Sequence, residues 1–222
     1  MNLTVSREQF AETLKRFSPE RYAKERVLAL YSATIAIADD SLMSGAIELA
    51  RRHQVPHRAL YEIVLQSYLF LGFPRMLGAA EILADDFPAE RNGSVTGPIL
   101  SAEANDWYNN GTNLCRRIYG SKYDDLKERV SSLAPEIFRW MIIEGYGKVL
   151  SRPDLEPAVR ELSIVAFLTM ENRPRQLRSH VMGALNVGTP AELLKMVVED
   201  IGPGAGDGYG AALAIISRAG VS

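Results

Sequence analysis

Apolar positions recur at three- and four-residue spacing along almost the whole chain, and residues that start or stop helices interrupt the pattern. Ser6 and Gln9 form a capping-box pattern ahead of a short amphipathic helix. Pro19 is placed to open the next helix, which carries Val27, Leu28, Leu30, Tyr31, Ile35 and Ile37. Asp40 offers an N-cap for a helix over Ser41–His53, and Pro56 opens one over Arg58–Leu71. Gly72-Phe73-Pro74 then breaks the chain before Arg75–Leu83. Each proline stands where its missing N–H costs least. From Asp85 to Pro98 the composition shifts to Gly, Pro, Asp and Asn, which predicts a linker.

Beyond it the spacing predicts helices over Ala102–Tyr119, Asp124–Leu133, Pro135–Leu150, Pro157–Met170 and Arg175–Val187, with Gly188 as the residue that ends the last of these. Thr189-Pro190-Ala191-Glu192 reads as a second capping box. The glycine-rich run Gly202–Gly208 predicts a break, serving as a flexible lid or a connection to a final helix through Ile215 and Ile216. No alternating run is bounded by hairpin dipeptides, so the predicted class is all-α.

The pattern also repeats. A shift of 134 residues lays Arg26 on Arg160, Leu28 on Leu162, Ala50 on Ala184, Pro56 on Pro190, Leu60 on Leu194, Val64 on Val198 and Gly72 on Gly206. This predicts two repeated half-domains of antiparallel helical hairpins: an N-terminal degenerate repeat over 1–86, a linker over 87–100 and a C-terminal domain over 101–222. Any acid–base chemistry is therefore expected in the second copy. Val27 stands where it has Glu161, and Gly45 or Ala46 stands where it has His180.

Composition narrows the picture further. The 222 residues are 47% hydrophobic with a formal charge of −2, which leaves no basic footprint for nucleic acid and no global field for anions. Local arginines must then hold any acidic substrate. The lone cysteine, Cys115, can form neither a disulfide framework nor a dithiol cycle. With no signal pattern at the N-terminus and no membrane-length apolar run, the expectation is a cytoplasmic protein without membrane partners. His53 and His57 are four apart, but Pro56 intervenes, so a metal site is not expected.

Glu161 is the acid in an otherwise strongly apolar stretch, Ala158–Met170, and would be desolvated unless partnered. His180 lies at the edge of the apolar stripe of the following helix. A short connection makes the two helices antiparallel neighbours, so the pair can meet. Two readings are open: a buried ion pair, with Arg160 as a third member, or a glutamate fixing the tautomer of a histidine that transfers protons. Arg173, Arg175 and Arg178 cluster beside His180, as a carboxylate anchor or as a solvated helix face.

Arg160-Glu161-Leu162, followed by Gln176-Leu177-Arg178-Ser179-His180 through Gly188, resembles the carboxymuconolactone decarboxylase and AhpD-like family. So does the run Gly145–Leu155, and Trp107, Gly111 and Tyr119-Gly120 look like the upstream part of the same domain. The peroxidase branch of that family places a Cys-x-x-Cys pair between acid and histidine, and here Arg173 and Gln176 occupy those positions. The resemblance therefore implies an AhpD-like helical bundle of the decarboxylase-like branch, without dithiol chemistry. It implies a lyase or isomerase of aromatic degradation acting on a small unsaturated carboxylated lactone or keto acid. Glu161 and His180 would be catalytic, with Arg173, Arg175, Arg178 and Gln176 binding substrate. Gln66, Tyr68 and Gly72–Arg75 are similar to the segment that closes such a domain, so Tyr68 and Arg75 are further substrate-binding candidates. No cofactor is required, because a conjugated carbonyl is itself the electron sink. Homo-oligomers, trimers or hexamers, are the family's habit. The alternative is a non-catalytic oligomer that binds a small ligand.

Overall fold

A computed structural model describes residues 7–88 and 97–219. Every described element is helical, as the periodicity predicts. The first repeat comprises α1 (Arg7–Arg16), α2 (Ala23–Ile37), α3 (Asp40–Arg52), α4 (His57–Leu71) and α5 (Phe73–Asp86). After the linker come α6 (Ser101–Tyr119), α7 (Tyr123–Leu133) and α8 (Pro135–Trp140), which runs on as a π-helical segment, Met141–Leu150. The second repeat follows as α9 (Pro157–Met170), α10 (Pro174–Asn186), α11 (Ala191–Ala205) and α12 (Asp207–Arg218). Ser6 of the first expected cap and residues 89–96 of the expected linker lie outside the described residues.

Helices α2 and α9 are apolar nearly all round and pack on each other at the centre, where Val27–Ala36 and Arg160–Thr169 are buried. Each packs against the next helix in the chain, α3 or α10, and α4 and α11 lie across them. The buried apolar side chains of both repeats form one contiguous cluster.

The 134-residue shift also relates helix boundaries and backbone angles. The same 134-residue shift carries α3 end for end onto α10 and α4 onto α11. Left-handed backbone recurs at matching positions: Ala38 (φ 57°) with Asn172 (50°), Gln54 (53°) with Gly188 (99°), and Gly72 (80°) with Gly206 (52°). With no gap in α3 against α10, Ala46, rather than Gly45, is the counterpart of His180.

Several local expectations are corrected. Asp39, not Asp40, caps α3, its carboxylate accepting from the Leu42 N–H at 3.1 Å. Pro19 does not open α2, which starts at Ala23 after a left-handed Tyr22. Thr189 and Glu192 do not form a capping box: the Thr189 hydroxyl donates to the Ala158 carbonyl, and Glu192 binds Arg21 and Tyr22. The glycine-rich run is no lid. Helix α11 continues to Ala205, and only Gly206 turns the chain into α12. Close packing explains the composition, since a Cβ at Gly208 would stand 1.9 Å from the Thr169 carbonyl oxygen.

Candidate active site

Glu161 projects from α9 and His180 from α10, and the hairpin brings them together across 19 residues of chain. The His180 Nδ1 lies 2.9 Å from the Glu161 Oε2. Glu161 is buried, and His180 is 8% exposed. With Nδ1 committed to the carboxylate, Nε2 is the ring nitrogen left for other chemistry. The Phe70 ring meets the imidazole edge-on at 5.6 Å between centroids, fixing its orientation from the first repeat. Gly183, one turn after His180, makes room for the acid, since a Cβ there would sit 3.0 Å from the Glu161 Oε2 and 2.7 Å from Ile118.

His180 forms part of the wall of a cavity of about 600 Å³. Leu69 and Phe70 of α4 close one side; Leu126, Val130, Leu133, Ile137, Trp140 and Met141 supply an apolar wall from α7, α8 and the π-helical segment. The polar lining is sparse: Tyr119, Arg129, Glu144, Tyr146, Arg175, Gln176 and Ser179 accompany His180. The cavity is thus apolar with a few convergent polar groups, as ligand sites generally are.

The π-helical segment reaches the cavity because α6 lets it approach closely. A Cβ at Gly147 would fall 1.9 Å from the Trp107 carbonyl oxygen, and one at Gly111 would fall 2.1 Å from that of Ile142, so backbone meets backbone. This contact sets Glu144 and Tyr146 beside the site. Burial acts to raise the Glu144 pKa, but hydrogen bonds from Tyr68 and Lys148 outweigh it and hold the group below its ordinary value. The Tyr146 hydroxyl donates to the Tyr119 hydroxyl at 3.2 Å. Burial pushes Tyr119 up to about 12 and Tyr146 well above its ordinary value. Both phenols are therefore protonated at neutral pH. Cys115 is fully buried, and burial followed by the nearby Glu161 charge pushes its thiol up to about 12.

The expected substrate residues divide. Arg175 and Gln176 line the cavity, whereas Arg173 and Arg178 are exposed and outside it. Tyr68 reaches the site only through its hydrogen bond to Glu144, and Arg75 is paired with Glu171 outside the lining. Residues of the first repeat do contribute to the cavity, but they are the neighbours Leu69 and Phe70. Arg160 is not a third member of the Glu161–His180 pair. It turns the other way, to Glu62 at 2.8 Å, Gln66 at 3.3 Å and the carbonyls of Arg152 and Leu155, each at 3.1 Å. Among the described residues no three His, Cys, Asp or Glu side chains converge on a metal-sized point, and no helix is long and apolar enough to cross a membrane.

Sequence reasoning missed Arg129, which joins Arg175 in the lining; neither guanidinium is engaged in an ion pair or side-chain hydrogen bond with the described residues. It also missed the α7–α8 wall. The available signal was an excess of apolar residues on short helices, Leu133, Ile137 and Trp140, beyond what a buried face needs.

No family model matches the chain. It is similar to Peroxisomal protein 2 of Schizosaccharomyces pombe, with 27% identity over 154 residues that cover 68% of this chain and 71% of that protein.

Proposed function

We propose that this chain is a cofactor-free acid–base enzyme, a carboxymuconolactone decarboxylase-like lyase or isomerase acting on an unsaturated lactone or keto acid that carries a carboxylate. The observation that carries this reading is that His180, in the wall of a mostly apolar cavity, is held from behind by Glu161 at 2.9 Å. Glu161 fixes the tautomer and stabilises the imidazolium, and His180 Nε2 moves the proton. Arg175 and Arg129, with no carboxylate of the described residues to hold, anchor the substrate's own carboxylate. A cavity of about 600 Å³ falls among ligand sites, which run about 300–1,000 Å³. It leaves room for an apolar ring or chain beside the reacting group. Exposed apolar side chains elsewhere, including Phe73, Leu77, Ile99 and Leu100, support assembly into a homo-oligomer.

The test is turnover of a panel of carboxymuconolactones and related unsaturated keto acids by wild type and His180→Ala in parallel. Carbon dioxide release or an altered ultraviolet spectrum, abolished in the variant, is the expected result. If wild type turns over nothing, and the variant is merely less stable by about 1–3 kcal/mol with Glu161 left unpaired, the pair is structural and the protein is a non-catalytic ligand-binding member of its class.

A further inference from the structure

We infer that Tyr119, backed by Tyr146, donates the hydrogen bond to the substrate oxygen on which negative charge develops, so that His180 and Tyr119 work on two ends of one carbonyl-conjugated system. This rests on the acid–base reading of His180. Both tyrosines line the same cavity as His180, and they reach it from different elements, α6 and the π-helical segment. The Tyr146 hydroxyl donates to Tyr119 at 3.2 Å, which commits a lone pair of the Tyr119 oxygen and leaves the Tyr119 proton to point elsewhere. A donor that itself accepts a hydrogen bond is polarised and becomes a stronger donor. The surroundings keep it a donor. Burial and the Glu161 charge hold the Tyr119 proton in place at neutral pH, and the α7–α8 wall of the cavity is apolar.

The electron flow closes. In a decarboxylation, the pair of the C–CO2 bond moves through the conjugated system onto the carbonyl oxygen as carbon dioxide leaves. The oxygen, now an enolate, takes a stronger hydrogen bond from Tyr119. The pair then returns to carbon as the His180 imidazolium delivers its proton there, and solvent reprotonates the imidazole. In an isomerisation His180 first removes the proton from carbon and then returns it to another, and Tyr119 meets the same enolate.

A phenolate is a stable stand-in for that enolate, and binding can be read without turnover. The probe is 4-nitrophenol, titrated by its visible absorbance above its own pKa, with 4-nitroanisole as the neutral analogue of the same shape. The expected result is that Tyr119→Phe weakens 4-nitrophenolate by about 10- to 100-fold, the range for deleting a hydrogen bond to a charged group, and leaves 4-nitroanisole unchanged. Tyr146→Phe, which removes a positioning residue, weakens the phenolate by a smaller factor and also leaves the anisole unchanged. Equal phenolate affinity in wild type and Tyr119→Phe overturns the inference, as does an equal loss of both probes. If no substrate is turned over but Tyr119→Phe still weakens the phenolate selectively, the acid–base reading fails and the oxyanion donor stands. If His180→Ala abolishes turnover while Tyr119→Phe changes neither turnover nor phenolate binding, the donor role is wrong and the acid–base reading survives.

Discussion

Glu161 was legible as a special residue because a carboxylate in the middle of an apolar helix must find a partner. Its partner followed from the short α9–α10 connection. Its sequence neighbour Arg160 could not be assigned in the same way, since adjacent helical residues face about 100° apart and the α9 helix is buried on all sides. The arginines near His180 sort by the same geometry: Arg175, Gln176, Ser179 and His180 share one face of α10, and Arg178 lies off it. Two predictions belong here. Glu161→Gln keeps a hydrogen-bonding group on His180 but removes the charge beside it, so the proposed acid–base turnover should fall by about 10²-fold or more, with little change in a urea-unfolding midpoint. Cys115, buried beside Glu161 with its thiol pushed up to about 12, stays unlabelled by a thiol reagent in the native protein and reacts once the chain unfolds. Rapid native labelling would contradict the burial of α6 against the second repeat.

At the level of helices, most boundaries were written in proline and glycine, and the errors have a common cause. Caps depend on which side chain actually reaches a backbone N–H, so Asp39 displaces Asp40 and Thr189 finds a carbonyl of α9 instead of its own helix. Glycine marks close approach as readily as a break, which is why Gly202 and Gly204 lie within α11, where a Cβ on either would come within 2.9 Å of the Tyr209 or Phe10 ring. The α7–α8 hairpin is held mainly by the chain segments on either side of it, α6 and the π-helical segment. It carries Leu133, 76% exposed, and Trp140, 63% exposed, at the cavity. A ligand entering that cavity covers Trp140. In a Trp107→Phe background, which leaves Trp140 as the single tryptophan, 4-nitroanisole or substrate should shift or quench its fluorescence saturably. An unaltered spectrum at saturating ligand would place the ligand elsewhere.

Across the whole molecule, the two repeats are tied by a pseudo-symmetric pair of arginines. Arg26 of α2 reaches Asp200 of α11 at 2.7 Å, and its counterpart Arg160 of α9 reaches Gln66 of α4, the position matching Asp200, at 3.3 Å. The second crossing has grown into a buried network in which Arg152 and Arg160 both grip Glu62. Burial alone would raise the Glu62 pKa, but these two guanidinium groups hold it below its ordinary value. A folded-state pKa below the unfolded value contributes stability that is complete above the unfolded value and lost as pH falls through the folded one. Wild type should therefore lose stability on acidification below about pH 4.5. Glu62→Gln, which leaves buried guanidinium uncompensated, should be less stable by about 3–5 kcal/mol at neutral pH and show a flatter acid limb in denaturant melts. The asymmetry between the repeats is equally physical. In the first, Val27 and Ala46 replace Glu161 and His180, and Phe10 of α1 is fully buried against Gly204, the counterpart of Phe70.

The helices, their order and the meeting of Glu161 with His180 were legible from the chain alone, because each follows from local spacing or from the cost of burying one charge. Which arginines border the cavity, that Leu69 and Phe70 of the first repeat close it, and that Tyr119 and Tyr146 line it together with His180 emerge only in the folded molecule. Those facts depend on how helices far apart in the chain are rotated about their axes and set against one another. Helical periodicity names the face a helix buries, but it does not say which distant face receives it.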